Sequence, residues 1–127
     1  MHGLLHLLNS STLLSIIIGI LLLDLVGAYL PHLVQHKVKL LWYIHIVHHT
    51  DQKVDTTTAN RHHPFESIVR FVFTLAGIFI SGAPIGLVLM YQSLSVIFSQ
   101  FNHANIQISD KVDKGLSYLI VSPNMHK

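Results

Sequence analysis

Histidines are the residues of this sequence best suited to do chemistry, because they are numerous and regularly spaced. The chain has 11 histidines among 127 residues. In HLVQH, His32 and His36 lie four residues apart, and in HIVHH, His48 and His49 follow His45 by three and four residues. Residues three or four apart share one face of a helix. Each stretch is therefore predicted to present its rings in a row.

Rows of imidazoles on neighbouring helical segments are typical of a metal site. Neutral imidazole is a good ligand for iron, copper, zinc and nickel. Five rings exceed the needs of one tetrahedral zinc ion, so we expect two metal ions or one ion with unusually full ligation. The alternative for these residues is a solvated, basic helix face at a membrane surface, where each ring is hydrogen-bonded separately.

The composition indicates a membrane protein and excludes several other classes. Half of the residues are hydrophobic and only 11% are charged, whereas soluble domains have about 25% charged residues. The absence of cysteine excludes disulfides, thiolate zinc sites and cysteine nucleophiles. The net charge is +2 and there is no basic run, so we expect no nucleic-acid partner.

The apolar segments predict the elements that position the histidines. We expect one all-α, multi-pass membrane domain over residues 1–127. Residues 11–30 are long enough for a transmembrane helix, which Pro31 is predicted to end or kink. Residues 67–100 are predicted to form an apolar helical hairpin that turns at SGAP and dips into or barely crosses the bilayer, because its first limb, 67–80, is short.

The two polar segments, 31–66 and 101–127, carry the histidines of interest. A single helix is predicted from about residue 32 to 49. Basic residues concentrate in the first polar segment, so the positive-inside rule places it in the cytosol, and the hairpin returns the second segment to the same face. We favour the bacterial cytoplasmic membrane, or the endoplasmic reticulum if the chain is eukaryotic.

Further polar residues are candidates for supporting roles. Asp24 lies inside the first apolar segment, where a carboxylate usually faces a partner or a cavity, and it is predicted to orient a histidine or to bind metal. In RHHPFE, Arg61 and Glu66 are predicted to pair across the turn, His62 to be exposed, and His63 to contribute to the site. His103 is placed where the hairpin emerges.

Several motifs together resemble the fatty acid hydroxylase / sterol desaturase superfamily. The pattern is D-x7-H-x3-H, LLW-x2-H-x2-HH, D-x3-DTTTA-x-R-x-HP-x-E, FNHANI and SPNMHK, in this order from about residue 20 to the last residue. Its residues in this chain are Asp24, His32, His36, Trp42, His45, His48, His49, Asp51, Asp55, Arg61, His63, Pro64, Glu66, His103, Asn105, Pro123 and His126.

The resemblance implies an enzyme that uses O2 and a non-haem diiron centre to hydroxylate or desaturate a lipid, sterol or fatty acyl chain, with electrons from an external partner of the cytochrome b5 or ferredoxin type. The implied iron ligands are His32, His36, His45, His48, His49, His63, His103 and His126. Residues implied to hold these ligands in place are Asp24, Asp55, Arg61, Glu66 and Asn105.

The family pattern also implies a further histidine pair at positions 129 and 130. We therefore expect the chain to be a fragment of a longer protein, and one hypothesis is that this fragment binds metal poorly and is inactive. The competing hypothesis is a membrane protein that binds or moves zinc, nickel or copper without redox chemistry.

Overall fold

The computed structural model describes residues 3–8, 10–51 and 54–126, and every regular element within these ranges is a helix. This confirms the predicted all-α class. The elements are α1 (Leu4–Leu7), α2 (Thr12–Asp24), a π-helical turn (Leu25–Tyr29), α3 (Leu30–Lys37), α4 (Lys39–His45), a 3-10 turn (Ile46–His49), a second 3-10 turn (Thr58–Asn60), α5 (Pro64–Ser81), α6 (Ile85–Asn102), α7 (Asp110–Leu116) and α8 (Pro123–His126).

Within the described ranges, three helical segments are long and apolar enough to cross a membrane: Thr12–Lys37, Pro64–Ser81 and Ile85–Asn102. Large apolar side chains point outward from them; Phe79 is 76% exposed and Ile85 is 72% exposed. In a membrane protein such side chains face lipid. The two hairpin helices have 18 residues each, about 27 Å at helical rise.

The first hairpin helix, α5, begins before the apolar stretch 67–80 and is longer than that stretch. His63 caps α5, its ring accepting from the backbone N–H of Phe65, and Pro64 occupies the first helical position, where its missing N–H costs nothing. The predicted length of the first limb, 67–80, is too short, because the polar first turn of α5, which contains Glu66, also belongs to the helix. How deeply the hairpin enters the bilayer stays a prediction.

Pro31 does not end the first membrane helix, which continues to Lys37. Instead, the helix widens into the π-helical turn just before the proline, and the N–H of Leu30 bonds to the carbonyl of Leu25. A proline inside an α-helix removes one N–H and clashes with the carbonyl four residues earlier. The wider turn accommodates Pro31, and the helix then carries His32 beyond it.

The predicted single helix from 32 to 49 is interrupted at Val38. This residue is extended (φ −94°, ψ 112°) and separates α3 from α4. The break allows α4 to fold back against α3, and the final stretch, Ile46–His49, tightens into a 3-10 turn. In this turn the ring of His48 contacts His103, whereas the ring of His49 contacts His45.

The hairpin packs onto the first helix through a small apolar core and close glycine contacts. Leu23, Leu87 and Tyr91 belong to this core, and each is less than a tenth exposed. Gly27 lies against Thr74 of α5, where an added Cβ would come within 3.4 Å of the Thr74 hydroxyl. The hairpin turns at Gly82, whose φ of 67° favours glycine. Antiparallel packing returns the end of α6 to the histidine-bearing segment.

Candidate metal centre

Four rings form the first histidine group: His32, His36, His45 and His49. One ring nitrogen from each of the first three lies within 4.8 Å of the others. Nε2 of His49 lies 3.2 Å from Nε2 of His45. The fold-back at Val38 produces this convergence, since it turns the rings of α4 toward those of α3.

A second histidine pair, His48 and His103, lies beside the first group. The Nε2 atoms of the two rings are 3.1 Å apart although the residues are 55 positions apart in sequence. The ring centroids of His45 and His48 are 5.7 Å apart, so the two sets share one region of the protein. His45, His48 and His103 are all buried.

Hydrogen bonds fix which nitrogen of two key rings carries a lone pair. Nδ1 of His45 is 3.1 Å from Oε1 of Glu66, to which it donates. Nδ1 of His103 donates to the carbonyl of Ser99 at 2.8 Å. In a neutral imidazole the other nitrogen, Nε2, is then the acceptor. Both acceptors point at another histidine nitrogen, so each pair needs a proton or a cation between its atoms.

The environment keeps rings in these sets neutral. Burial, together with the neighbouring imidazoles of His62 and His103, lowers the pKa of His48 from 6.5 to about 3. Burial also lowers the pKa of His49 and of His103, the latter partly offset by the Ser99 carbonyl. Metal binding requires neutral imidazole. These rings are therefore in the ligand form at neutral pH.

Glu66 connects the two histidine sets. It is 1% exposed, and its Oε1 lies 3.1 Å from Nδ1 of His45 and 3.0 Å from Nδ1 of His62. The ring of His62 in turn stacks on His48, with centroids 4.7 Å apart. The other oxygen, Oε2, is buried and has no hydrogen-bond partner among the described residues. Glu66 thus offers one oxygen to hold the rings and a second that is available to a cation.

His62 is less exposed than the sequence predicted, and His63 caps a helix. His62 was predicted to be exposed, yet its side chain is only 17% exposed. Its Nε2 donates to the carbonyl of Ala59 at 2.9 Å, and its Nδ1 lies 3.0 Å from Oε1 of Glu66 outside hydrogen-bond geometry. His63 instead caps α5 through Nδ1 and stacks on Phe65. The spacing of four residues from His62 to Glu66 was the available signal.

Asp24 does not join the histidines. It lies eight residues before His32, about 12 Å along a helix, and it is exposed on the helix surface. Its Oδ1 accepts a hydrogen bond from the hydroxyl of Tyr91 at 3.4 Å. Among the described residues, the hydrogen-bond partner of Asp24 therefore lies on α6 and is not one of the histidines.

The acidic loop after the histidines is stabilised locally. Asp55 accepts from the backbone N–H and the hydroxyl of Thr57, at 2.8 and 2.6 Å, and these bonds lower its pKa. Asp51 accepts from the hydroxyl of Thr58 and pairs with Arg61. The predicted pair between Arg61 and Glu66 is therefore replaced by Arg61 and Asp51. In these contacts Asp55 and Arg61 shape the loop.

Trp42 packs against two exposed rings of the first histidine group. Its ring centroid is 5.2 Å from that of His36 and 5.8 Å from that of His49. Asn105 lies exposed in the loop after His103. His126 ends α8, which packs on α6, but its side chain lies outside the described part of the chain.

The comparison with known families agrees with this arrangement. The profile described as fatty acid hydroxylase matches residues 16–127. The chain belongs to the fatty acid hydroxylase family. The match covers both histidine sets, Glu66 and the two hairpin helices, and it confirms the resemblance drawn from the spacing of the motifs. Members of this family are generally enzymes that oxidise lipids. No curated protein and no solved structure matches the chain.

Proposed function

We propose that this fatty acid hydroxylase family protein oxidises a C–H bond of a membrane lipid, a sterol or a fatty acyl chain with O2, by hydroxylation or desaturation. The observation that carries the proposal is the meeting of two sets of imidazoles at one end of membrane-length helices. Within these sets, acceptor nitrogens of His45 and His103 point at further histidine nitrogens 3.2 and 3.1 Å away.

The donor set fits a non-haem diiron centre. Imidazole and carboxylate are common iron ligands. The first histidine group would hold one iron, and the second histidine pair would hold the other. Oε2 of Glu66, a buried oxygen without a partner among the described residues, would be available as a further ligand. Bound iron would supply the O2-activating redox chemistry that no side chain of this protein can perform.

The residues around the rings would control geometry and water. Glu66 fixes the orientation of His45, and the Ser99 carbonyl fixes that of His103. Such outer contacts set the tautomer and basicity of a ligand. His45 is 1% exposed and His48 is 6% exposed, so bulk water is largely excluded on this side. In the first histidine group, His32, His36 and His49 stay exposed, and Trp42 packs against the rings of the last two.

The position of the cluster favours a lipid substrate and an external reductant. The rings lie where the membrane-length helices end, so a lipid would arrive through the hairpin while electrons arrive from the aqueous face. Lys37 and Lys39 flank the break at Val38, and basic residues favour the cytosolic side. We propose a cytosolic cluster served by a cytochrome b5 or ferredoxin type of protein.

Lipid analysis of cells that do and do not express the gene, together with the metal content of the purified protein, tests this function. We expect a hydroxylated or additionally unsaturated lipid that depends on O2 and disappears in the His45→Ala variant at equal protein level. Bound zinc with unchanged lipids would instead support a metal-binding protein without redox chemistry, and would contradict the proposal.

A further inference from the structure

A polar cavity lies between the membrane helices, next to the second histidine pair. Its volume is about 350 Å³, at the small end of ligand-binding pockets. The π-helical turn, α5 and α6 form much of its wall, and its lining includes several polar side chains: Ser67, Arg70, Thr74, Gln92, Ser95 and Ser99. A cavity at this depth that bound only hydrocarbon would need none of these groups, since each costs free energy without a partner.

Arg70 gives the cavity a positive charge inside a membrane helix. It is the seventh residue of α5, about 9 Å along the axis from the start of the helix. Ionisable residues at such positions usually face a partner or mark a functional site. The guanidinium is always protonated, so burial cannot neutralise it.

Among the residues that the structure describes, no carboxylate pairs with Arg70. Its polar contact is Nε2 of His62, 3.4 Å from the guanidinium, and that nitrogen faces the carbonyl of Ala59. Glu66, four residues before Arg70 on α5, pairs with His45 and lies 3.0 Å from His62, and Asp24 accepts from Tyr91. The guanidinium therefore lines the cavity with N–H donors that have no partner among the described residues.

We propose that Arg70 binds the anionic group of an amphipathic lipid, a carboxylate or a phosphate, inside this cavity. A guanidinium presents parallel N–H donors that match either oxyanion. Neighbouring hydroxyl and amide side chains, including those of Ser95 and Gln92, can donate to the remaining oxygens. The small volume accommodates the head group and the first carbons, and the rest of the chain extends into the bilayer.

The cavity also relates the head group to the histidines. His62 lines the cavity and stacks on His48. The carbons nearest the anion are then the part of the lipid closest to the second histidine pair. That this lipid is the oxidised substrate rests on the proposed function; that it binds at Arg70 does not.

Equilibrium binding without added metal tests the site. The protein, in phosphatidylcholine nanodiscs, is titrated with three radiolabelled probes of the same chain: oleate, oleyl phosphate and uncharged oleyl alcohol. We expect at least one anion to bind about 10–100-fold more tightly than the alcohol, as one or two charge-assisted hydrogen bonds provide. Preference for oleate or for oleyl phosphate identifies the head group.

Variants test whether Arg70 causes the preference for an anionic probe over the uncharged alcohol. Arg70→Gln should reduce it to about twofold or less, Arg70→Lys should retain part of it, and Lys114→Gln, which removes an exposed positive charge on α7, should leave it unchanged. Ser95→Leu, which fills the cavity and keeps the charge, should weaken all three probes, and it serves as the test if Arg70→Gln loses its helical circular dichroism. Equal binding of all probes to the wild type, or an unchanged preference in a folded Arg70→Gln protein, overturns the proposal. Because the assay needs neither iron nor turnover, an inactive protein that binds anions refutes only the proposed function.

Discussion

Glu66→Gln is the substitution that separates a built metal centre from a chance cluster of rings. Glu66 is almost fully buried and places one oxygen between Nδ1 of His45 and Nδ1 of His62, at 3.1 and 3.0 Å. Glutamine preserves the size and one acceptor oxygen, but it removes the negative charge and turns one oxygen into a donor. The metal-free fold should tolerate it better than alanine.

The expected magnitude follows from these two contacts. Loss of the carboxylate beneath a metal-binding histidine typically lowers metal affinity about 10–100-fold. Glu66 contacts His45 directly and also positions His62 against His48, so we expect the upper part of that range. This corresponds to about 2–3 kcal/mol of binding free energy.

Tryptophan fluorescence provides the assay, because Trp42 is the one tryptophan of the chain. Its ring lies 5.2 Å from that of His36, so paramagnetic Co²⁺ bound in the first histidine group should quench it. The control is Asp110→Asn, which neutralises an acid in the first turn of α7. If Glu66→Gln and Asp110→Asn titrate with the same Co²⁺ affinity as the wild type, the carboxylate does not support the site and the reasoning fails.

Further predictions follow from single residues. Leu23→Ala removes a core side chain that is 1% exposed and should destabilise the protein by about 2–5 kcal/mol, whereas Leu119→Ala, at 86% exposure, should change little; thermal unfolding in detergent compares the two. His63→Asn, which keeps a helix-capping side chain, should retain Co²⁺ affinity, and a tenfold loss would return His63 to the ligand set. Because the folded-state pKa of His48 is lowered to about 3, the unfolded chain binds protons first. The stability of the metal-free protein should therefore be full above pH 6.5 and fall as pH drops from 6.5 toward 3, and acid unfolding that is flat across this range would contradict the burial of His48. Pro31→Ala should leave the first helix intact, because the π-helical turn already lets the helix continue past residue 31 and alanine restores the missing N–H; loss of helicity by circular dichroism would show otherwise.

The sequence was sufficient to predict the helical membrane architecture, since long apolar runs leave the backbone no alternative in lipid. It also indicated that His32 and His36 share one helix face and that His45 and His49 share another, although the meeting of these two pairs depends on the fold-back at Val38. It did not predict the break at Val38 or the 3-10 turn at Ile46–His49, which depend on tertiary packing.

Other features could not be derived from local spacing. Which of the adjacent His62 and His63 caps α5 depends on where the helix begins, and a shift of one residue in that start would change the answer. The contact of His48 with His103 spans 55 residues and requires the antiparallel hairpin. Asp24 looked close to His32 by helix periodicity, yet its partner Tyr91 lies on α6. Periodicity predicts which residues share a face of one helix. It does not predict which other helix packs against that face.

The most direct test of the account is the number of metal ions that each histidine set holds. Protein from iron-supplemented cells would be analysed by inductively coupled plasma mass spectrometry, comparing the wild type with His36→Ala/His45→Ala and with His48→Ala/His103→Ala. The account predicts two irons per chain in the wild type and a loss in each double variant. Equal metal content in all three proteins, with their helices intact, would show that these rings do not form the centre.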